Sequence, residues 1–106
     1  MTSTRTLPEG FVAYLARGGR REGSVSSLPF GWFRLWPLAE VYYLNAEYQV
    51  SDHAPGLLGF GSDGGGEMLA FDEQNRVVMV PFIGMDLKQA RVIAPSWEAF
   101  ERMLAL

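Results

Sequence analysis

The order of predicted elements is that of an α+β domain. Helical periodicity opens and closes the chain, and three apolar runs of strand length follow one another in its second half, separated by turn residues. The length of 106 residues suits one domain with one core, and 48% hydrophobic with 20% charged residues is ordinary globular usage. Residues 1–6 precede the periodic pattern and are expected to form a flexible N-terminus, with residues 7–106 as the single domain.

From Leu7 the pattern is helical: Pro8 suits a first turn, Leu7, Phe11 and Leu15 recur at i+4, and Gly18-Gly19 is a stop signal. The following "RREGSVSSLP" has no periodicity and reads as an exposed loop. "FGWFRLW" is rich in β-favouring aromatics and predicts a first strand, with Trp32, Arg34 and Trp36 on one face and Phe33 and Leu35 on the other. Pro37 can open a helix over about Leu38 to Tyr48, whose stripe is Leu38, Val41, Tyr42, Asn45 and Tyr48. "QVSDHAPG" reads as a connector. "LLGFGS", "EMLAFD" and "RVVMVPF", separated by "DGG" and "EQN", predict two successive hairpins, and Pro81 should end its strand or lie at an edge. A short strand at "ARVIA" and a last helix complete the chain. Ser96 is the N-cap of that helix, Trp97, Phe100 and Leu104 its apolar face, and Glu98 with Arg102 an i, i+4 pair.

Gly59, Gly61 and Gly64 match G-x-G-x-x-G literally. A dinucleotide fingerprint needs these glycines to close a strand and open a helix, whereas "GGEMLAFD" follows, so the spacing to Asp86 is accidental. A P-loop ending is missing. A nucleophile elbow at Ser62 lacks its first glycine because Phe60 stands there, and His53 would be its only base. Asp52, His53 and Asp63 could be imagined around a metal, but one histidine with scattered carboxylates reads as solvated loop. The simplest reading of Gly61, Gly64, Gly65 and Gly66 is a structural turn, with Gly59 and Gly61 leaving one strand face bare for a close neighbour or a small ligand. No catalytic residue, metal or cofactor is expected.

The absence of cysteine excludes disulfides, thiolate nucleophiles and Cys-bound zinc. A net charge of -3 without clustered Lys and Arg disfavours direct nucleic-acid binding and suits a basic protein partner. With no signal-like or membrane-spanning apolar segment, a soluble cytoplasmic protein is expected.

"GFGSDGGGEMLAFDEQNRVVMV" followed by "ARVIAPSWEAFERML" resembles the SUKH superfamily, which includes Smi/Knr-type regulators of cell-wall glucan synthesis and bacterial immunity proteins. "LPEGFVAYLARGG" and "RLWPLAEVYYLNAEY" are similar to the upstream parts of that family, so the resemblance covers about Leu7 to Leu106. It implies a twisted, mainly antiparallel sheet with helices before, between and after the strands. It also implies a non-enzymatic binding protein that neutralises a cognate toxin, often a nuclease, by docking, and the acidic charge would suit a basic one; the alternatives are a glucan-synthesis scaffold or a small-ligand module. For such docking the candidate partner contacts are Asp63, Glu67, Asp72, Tyr43 and Trp36. Trp32, Tyr42 and Tyr48 are further aromatics, and for Trp32 and Tyr42 core packing is the expectation.

Overall fold

Six strands form one sheet in which every neighbour in space is the neighbour in sequence, and every pair is antiparallel. They are β1 (Glu22–Ser24), β2 (Trp32–Leu35), β3 (Leu58–Ser62), β4 (Glu67–Phe71), β5 (Val77–Pro81) and β6 (Arg91–Ala94). Four helices accompany them: α1 (Glu9–Ala16) before, α2 (Val41–Glu47) and α3 (Val50–His53) between β2 and β3, and α4 (Trp97–Leu104) after. The architecture is the expected α+β arrangement. These coordinates come from a computed structural model that describes residues 5–27 and 31–105. Phe30, the expected start of the first strand, lies outside the described residues, as do residues 1–4 of the expected flexible N-terminus and the terminal Leu106.

One face of the sheet carries the aromatic core. Cross-strand register puts Leu58, Phe71, Val77 and Ala94 in one row of that face. Phe60 stacks on Phe71 with ring centroids 4.2 Å apart, while Phe11 of α1 and Trp97 of α4 meet edge-on at 5.1 Å and close over the pair. Each such contact adds about 0.5–1.5 kcal/mol beyond area burial, so the heptad-like spacing of α1 and α4 is what roofs this face. Gly18 stops α1 with a φ of 78° that suits glycine, and Ser96 Oγ caps α4 by accepting from the Ala99 N–H at 3.1 Å.

The other face bears Met68, Ala70, Val78 and Val80, which are also buried: α2 and α3 lie against β3, and a 3-10 turn at Leu87–Gln89 lies against β5. Asn45 fixes α2 there. After the Trp36 N–H donates to the Phe60 carbonyl at 2.8 Å, β2 departs, and the Asn45 amide takes over its role on β3. Its Nδ2 donates to Gly59 O (2.9 Å) and its Oδ1 accepts from Gly59 N–H (2.8 Å), so a side chain completes the ladder that the departing strand leaves open.

Four local expectations are corrected. The loop after α1 contains β1, a three-residue edge strand whose Glu22 sits opposite Arg34. The expected single helix over Leu38–Tyr48 is a 3-10 turn at Leu38–Glu40 followed by α2, and Gln49, at φ 54°, breaks the chain before α3 forms inside the expected connector. On that helix Leu38, Tyr42 and Tyr48 are exposed, because Val41 alone of the predicted stripe is fully buried. Glu98 and Arg102 form no ion pair; Glu101 accepts instead from Arg17 (2.5 Å) and from the Trp97 indole N–H (3.0 Å), tying α4 to α1. The other expected elements hold: β3, β4 and β5 occupy the three apolar runs, Pro81 ends β5, and β6 lies in "ARVIA".

Candidate functional site

The glycine stretch is a turn. Asp63 N–H donates to Glu67 O at 3.1 Å, and Asp63 Oδ1 accepts from Gly65 N–H (2.8 Å) and Glu67 N–H (3.2 Å), folding the β3–β4 connection around one carboxylate. Gly64 sits at φ 80°, and a Cβ there would lie 2.5 Å from the Trp32 ring. A Cβ on Gly61 would collide with the Arg34 carbonyl across the β2–β3 pair. The bare face of Gly59 is filled, with Met68 Sδ 2.6 Å and the Trp36 ring 3.1 Å from where a Cβ would stand. Of the two readings of this bare strand face, a close neighbour fills it: side chains at Gly59 and the backbone of β2 at Gly61.

Beyond Gly59 the turn opens onto a groove of about 590 Å³. Its apolar floor is a row of rings: Trp36 stacks on Tyr48 (5.9 Å, 20°), and Tyr48 leans on Phe82 (4.8 Å). Gly64, Gly65 and Gly66 form one wall, and Phe82 N–H holds that wall by donating to Gly66 O at 2.8 Å. Arg34 and Glu40 stand at the rim. Ile83, next to Phe82, is 94% exposed, and Leu44 of α2 also lines the groove.

The structure gathers some of the candidate residues here and disperses others. Trp36 lines the groove although it is only 7% exposed, so its ring presents an edge rather than a free face. Tyr43 projects from the outer side of α2 at 62% exposure. Glu67 shares its sheet face with Leu69, opposite Met68, and pairs with Arg91 at 3.0 Å; it therefore points away from the groove. Asp72 lies at the far end of β4, about 16 Å from Glu67 at ~3.3 Å per residue. Among the described residues no group of three or more His, Cys, Asp or Glu is placed to hold a metal ion.

Asp72 organises the β4–β5 turn. Its Oδ1 accepts from Gln74 N–H and Arg76 N–H, each at 2.9 Å, and its Oδ2 accepts from Arg76 Nε at 2.6 Å. Burial opposes its charge, but the backbone and guanidinium hydrogen bonds of Arg76, with the Gln74 N–H, outweigh burial and hold its pKa below the usual carboxylate range. The Arg5 guanidinium closes over the same turn, donating to the carbonyls of Gly56 and Asp72, while the Tyr42 hydroxyl donates to Arg5 O at 2.6 Å. Arg5 is thus hydrogen-bonded to the domain, although it falls within the stretch read as a flexible N-terminus. Beside this turn Val78, Leu87, Ala90 and Val92 floor a second, smaller cavity of about 260 Å³.

With these elements in place, a family model described as the SMI1 / KNR4 family (SUKH-1) matches residues 4–103. The chain belongs to that family. A comparison with curated proteins finds no match. Within the described residues of this SUKH-1 domain no helix is long and apolar enough to cross a membrane.

Sequence reasoning missed three features of the site. Asn45 looks like one more member of an apolar helical stripe, and its one polar side chain in that stripe was the available signal. Ile83 follows a strand-ending proline and precedes Gly84 at φ 72°, which turns the chain outward and leaves the side chain bare. Phe82 lies beyond β5, so nothing local in the sequence reveals that it pairs with Tyr48.

Proposed function

We propose that this SUKH-1 domain is a non-enzymatic immunity protein, which neutralises a cognate protein toxin of the basic nuclease type by docking on it. The observation that carries the reading is the groove between the glycine turn and α2. Its lining combines three aromatic rings with aliphatic side chains, glycine backbone and a single Arg and Glu, the make-up of a docking surface. Occlusion of a nuclease needs a shape-matched surface with aromatic anchors, and steering by carboxylates accelerates its association. Trp36 and Tyr43 are the aromatic contacts in this reading and Asp63 an acidic one, while Glu67 and Asp72, held by Arg91 and Arg76, belong to the framework. The domain acts in the compartment where its toxin would do harm, the cytoplasm.

An affinity capture from the native host, with the tagged domain as bait, tests this directly. The expected result is a stoichiometric, salt-sensitive partner whose toxicity is abolished when the domain is added. Recovery of cell-wall synthesis proteins alone, with no toxic partner, would contradict the immunity reading in favour of a regulatory scaffold.

A further inference from the structure

The charges of the chain are segregated. Between Arg34 and Arg76 the sequence carries Glu40, Glu47, Asp52, Asp63, Glu67, Asp72 and Glu73, seven of its 12 acids, and none of its 9 Lys and Arg residues. That segment therefore bears a formal charge of -7 against +4 for the rest, which sums to the chain's -3. Three of the seven acids, Glu67, Asp72 and Asp63, are engaged by Arg91, by Arg76 and by the turn amides respectively. Glu73, exposed in the β4–β5 turn, joins no ion pair among the described residues, and Glu40, Glu47 and Asp52 remain. All three are exposed on the layer formed by the Leu38–Glu40 turn, α2 and α3, and none joins an ion pair among the described residues.

The same layer exposes Tyr42, Tyr43 and Tyr48, and Tyr48 continues inward as the middle ring of the groove. Tyrosine offers a large rigid contact area at low entropic cost, so three of them beside unpaired carboxylates make a surface ready for a protein with cationic side chains. Glu40 and Asp52 stand in first turns, where a helix favours a carboxylate, but local stability does not explain Glu47. Glu47 closes α2 at its C-terminal end, where the helix dipole favours a cation and disfavours a carboxylate. Nor does packing explain Tyr43, which is 62% exposed, whereas Tyr48 packs between Trp36 and Phe82 and Tyr42 donates to Arg5 O.

We infer that the outer face of the Leu38–Glu40 turn, α2 and α3, continuous with the Trp36–Tyr48–Phe82 groove, is the docking surface for a basic protein. Tyr43 and Tyr48 supply its apolar anchors, and Glu40, Glu47 and Asp52 pair with the partner's Lys and Arg side chains. This rests on the docking function proposed above and specifies where it occurs. The turn acids Glu67 and Asp72 lie outside this surface.

The surface can be tested without the toxin. A phage-displayed library of random 16-residue peptides is selected on the wild-type domain, and the enriched peptides are then measured against two variants. One carries Glu40→Lys, Glu47→Lys and Asp52→Lys together; the other is Tyr43→Ala. All four positions are exposed, so both variants keep the fold, which a melting curve verifies. The expected peptides carry more Lys and Arg than Asp and Glu, lose about tenfold or more in affinity on each variant, and weaken as salt is raised. Peptides without net positive charge, or peptides that bind the triple variant as tightly as the wild type, would overturn the inference. That outcome would leave the toxin reading standing, because host capture tests it separately; conversely, basic peptides on this face with no toxin in the host would remove the immunity reading alone.

Discussion

The two hairpin turns at either end of β4 are built on one device and differ in what surrounds it. In each, an aspartate accepts from the amides two and four residues ahead: Asp63 from Gly65 and Glu67, Asp72 from Gln74 and Arg76. In each, the aspartate N–H also donates to the carbonyl four residues on. Around Asp63 stand three glycines and an open groove. Around Asp72 stand the guanidinium groups of Arg76 and Arg5, and its side chain is 11% exposed. The same local chemistry thus stands beside an open groove at one end of β4 and within a cross-linked corner of the framework at the other. Cross-links and burial, supplied from elsewhere in the chain, decide which is which.

The sharpest way to break this comparison is to delete each aspartate in turn. We predict that Asp72→Ala lowers the unfolding free energy by about 2–3 kcal/mol, because two turn amides lose their acceptor in a poorly solvated place and Arg76 loses its partner. Urea melts would read this, and a loss below about 1 kcal/mol would deny Asp72 its locking role. Next in size is Gly64→Val, expected to cost at least about 1 kcal/mol, since the new side chain meets Trp32 at a φ of 80°. An unchanged melting temperature would count against that backbone conformation. Asp63→Ala should cost only about 1 kcal/mol, because water can replace the carboxylate at an exposed turn.

Acid sharpens the same contrast. The pKa of Asp72 is held down in the folded state, so its stabilisation is complete above the unfolded value near ~4 and disappears as pH falls through the lower folded value. Wild-type stability should therefore drop more steeply than that of Asp72→Asn as pH is lowered below about 4. Parallel curves would show that the carboxylate gains nothing from its partners. The smallest expected effect is Gly66→Ala: nothing lies within 4 Å of a Cβ there, and the change should leave stability the same or raise it by up to ~0.5 kcal/mol.

Much of the framework was legible because it is written in long-period burial. Phe11 and Leu15 in α1 and Trp97, Phe100 and Leu104 in α4 face the aromatic core, and the runs of β4 and β5 are buried on both faces, so their patterns survive in the sequence. The Ser96 cap and the end of β5 at Pro81 were legible because each follows from the chemistry of one residue. β1 was not, since a three-residue edge strand exists only through its pairing with β2. The break at Gln49 was hidden because no glycine or proline announces its positive φ. Of the site, the glycine turn and Trp36 were readable, but a sequence ranks Asp63, Glu67 and Asp72 alike. What separates them is Arg91, which approaches from β6, Arg5, from the N-terminal segment, and Arg76, four residues on in the same turn as Asp72.

Amide hydrogen exchange on the wild-type domain reads both turns in one molecule and tests the contrast most directly. The Gln74 and Arg76 amides, bonded to Asp72, should exchange only when the whole domain unfolds. The Gly65 and Glu67 amides, bonded to Asp63, should exchange by local opening, on the order of a hundredfold or more faster, equivalent to about 2.7 kcal/mol. Equal protection at the two turns would mean that the wall of the groove is as rigid as the framework, and the distinction between a docking end and a structural end of β4 would fall.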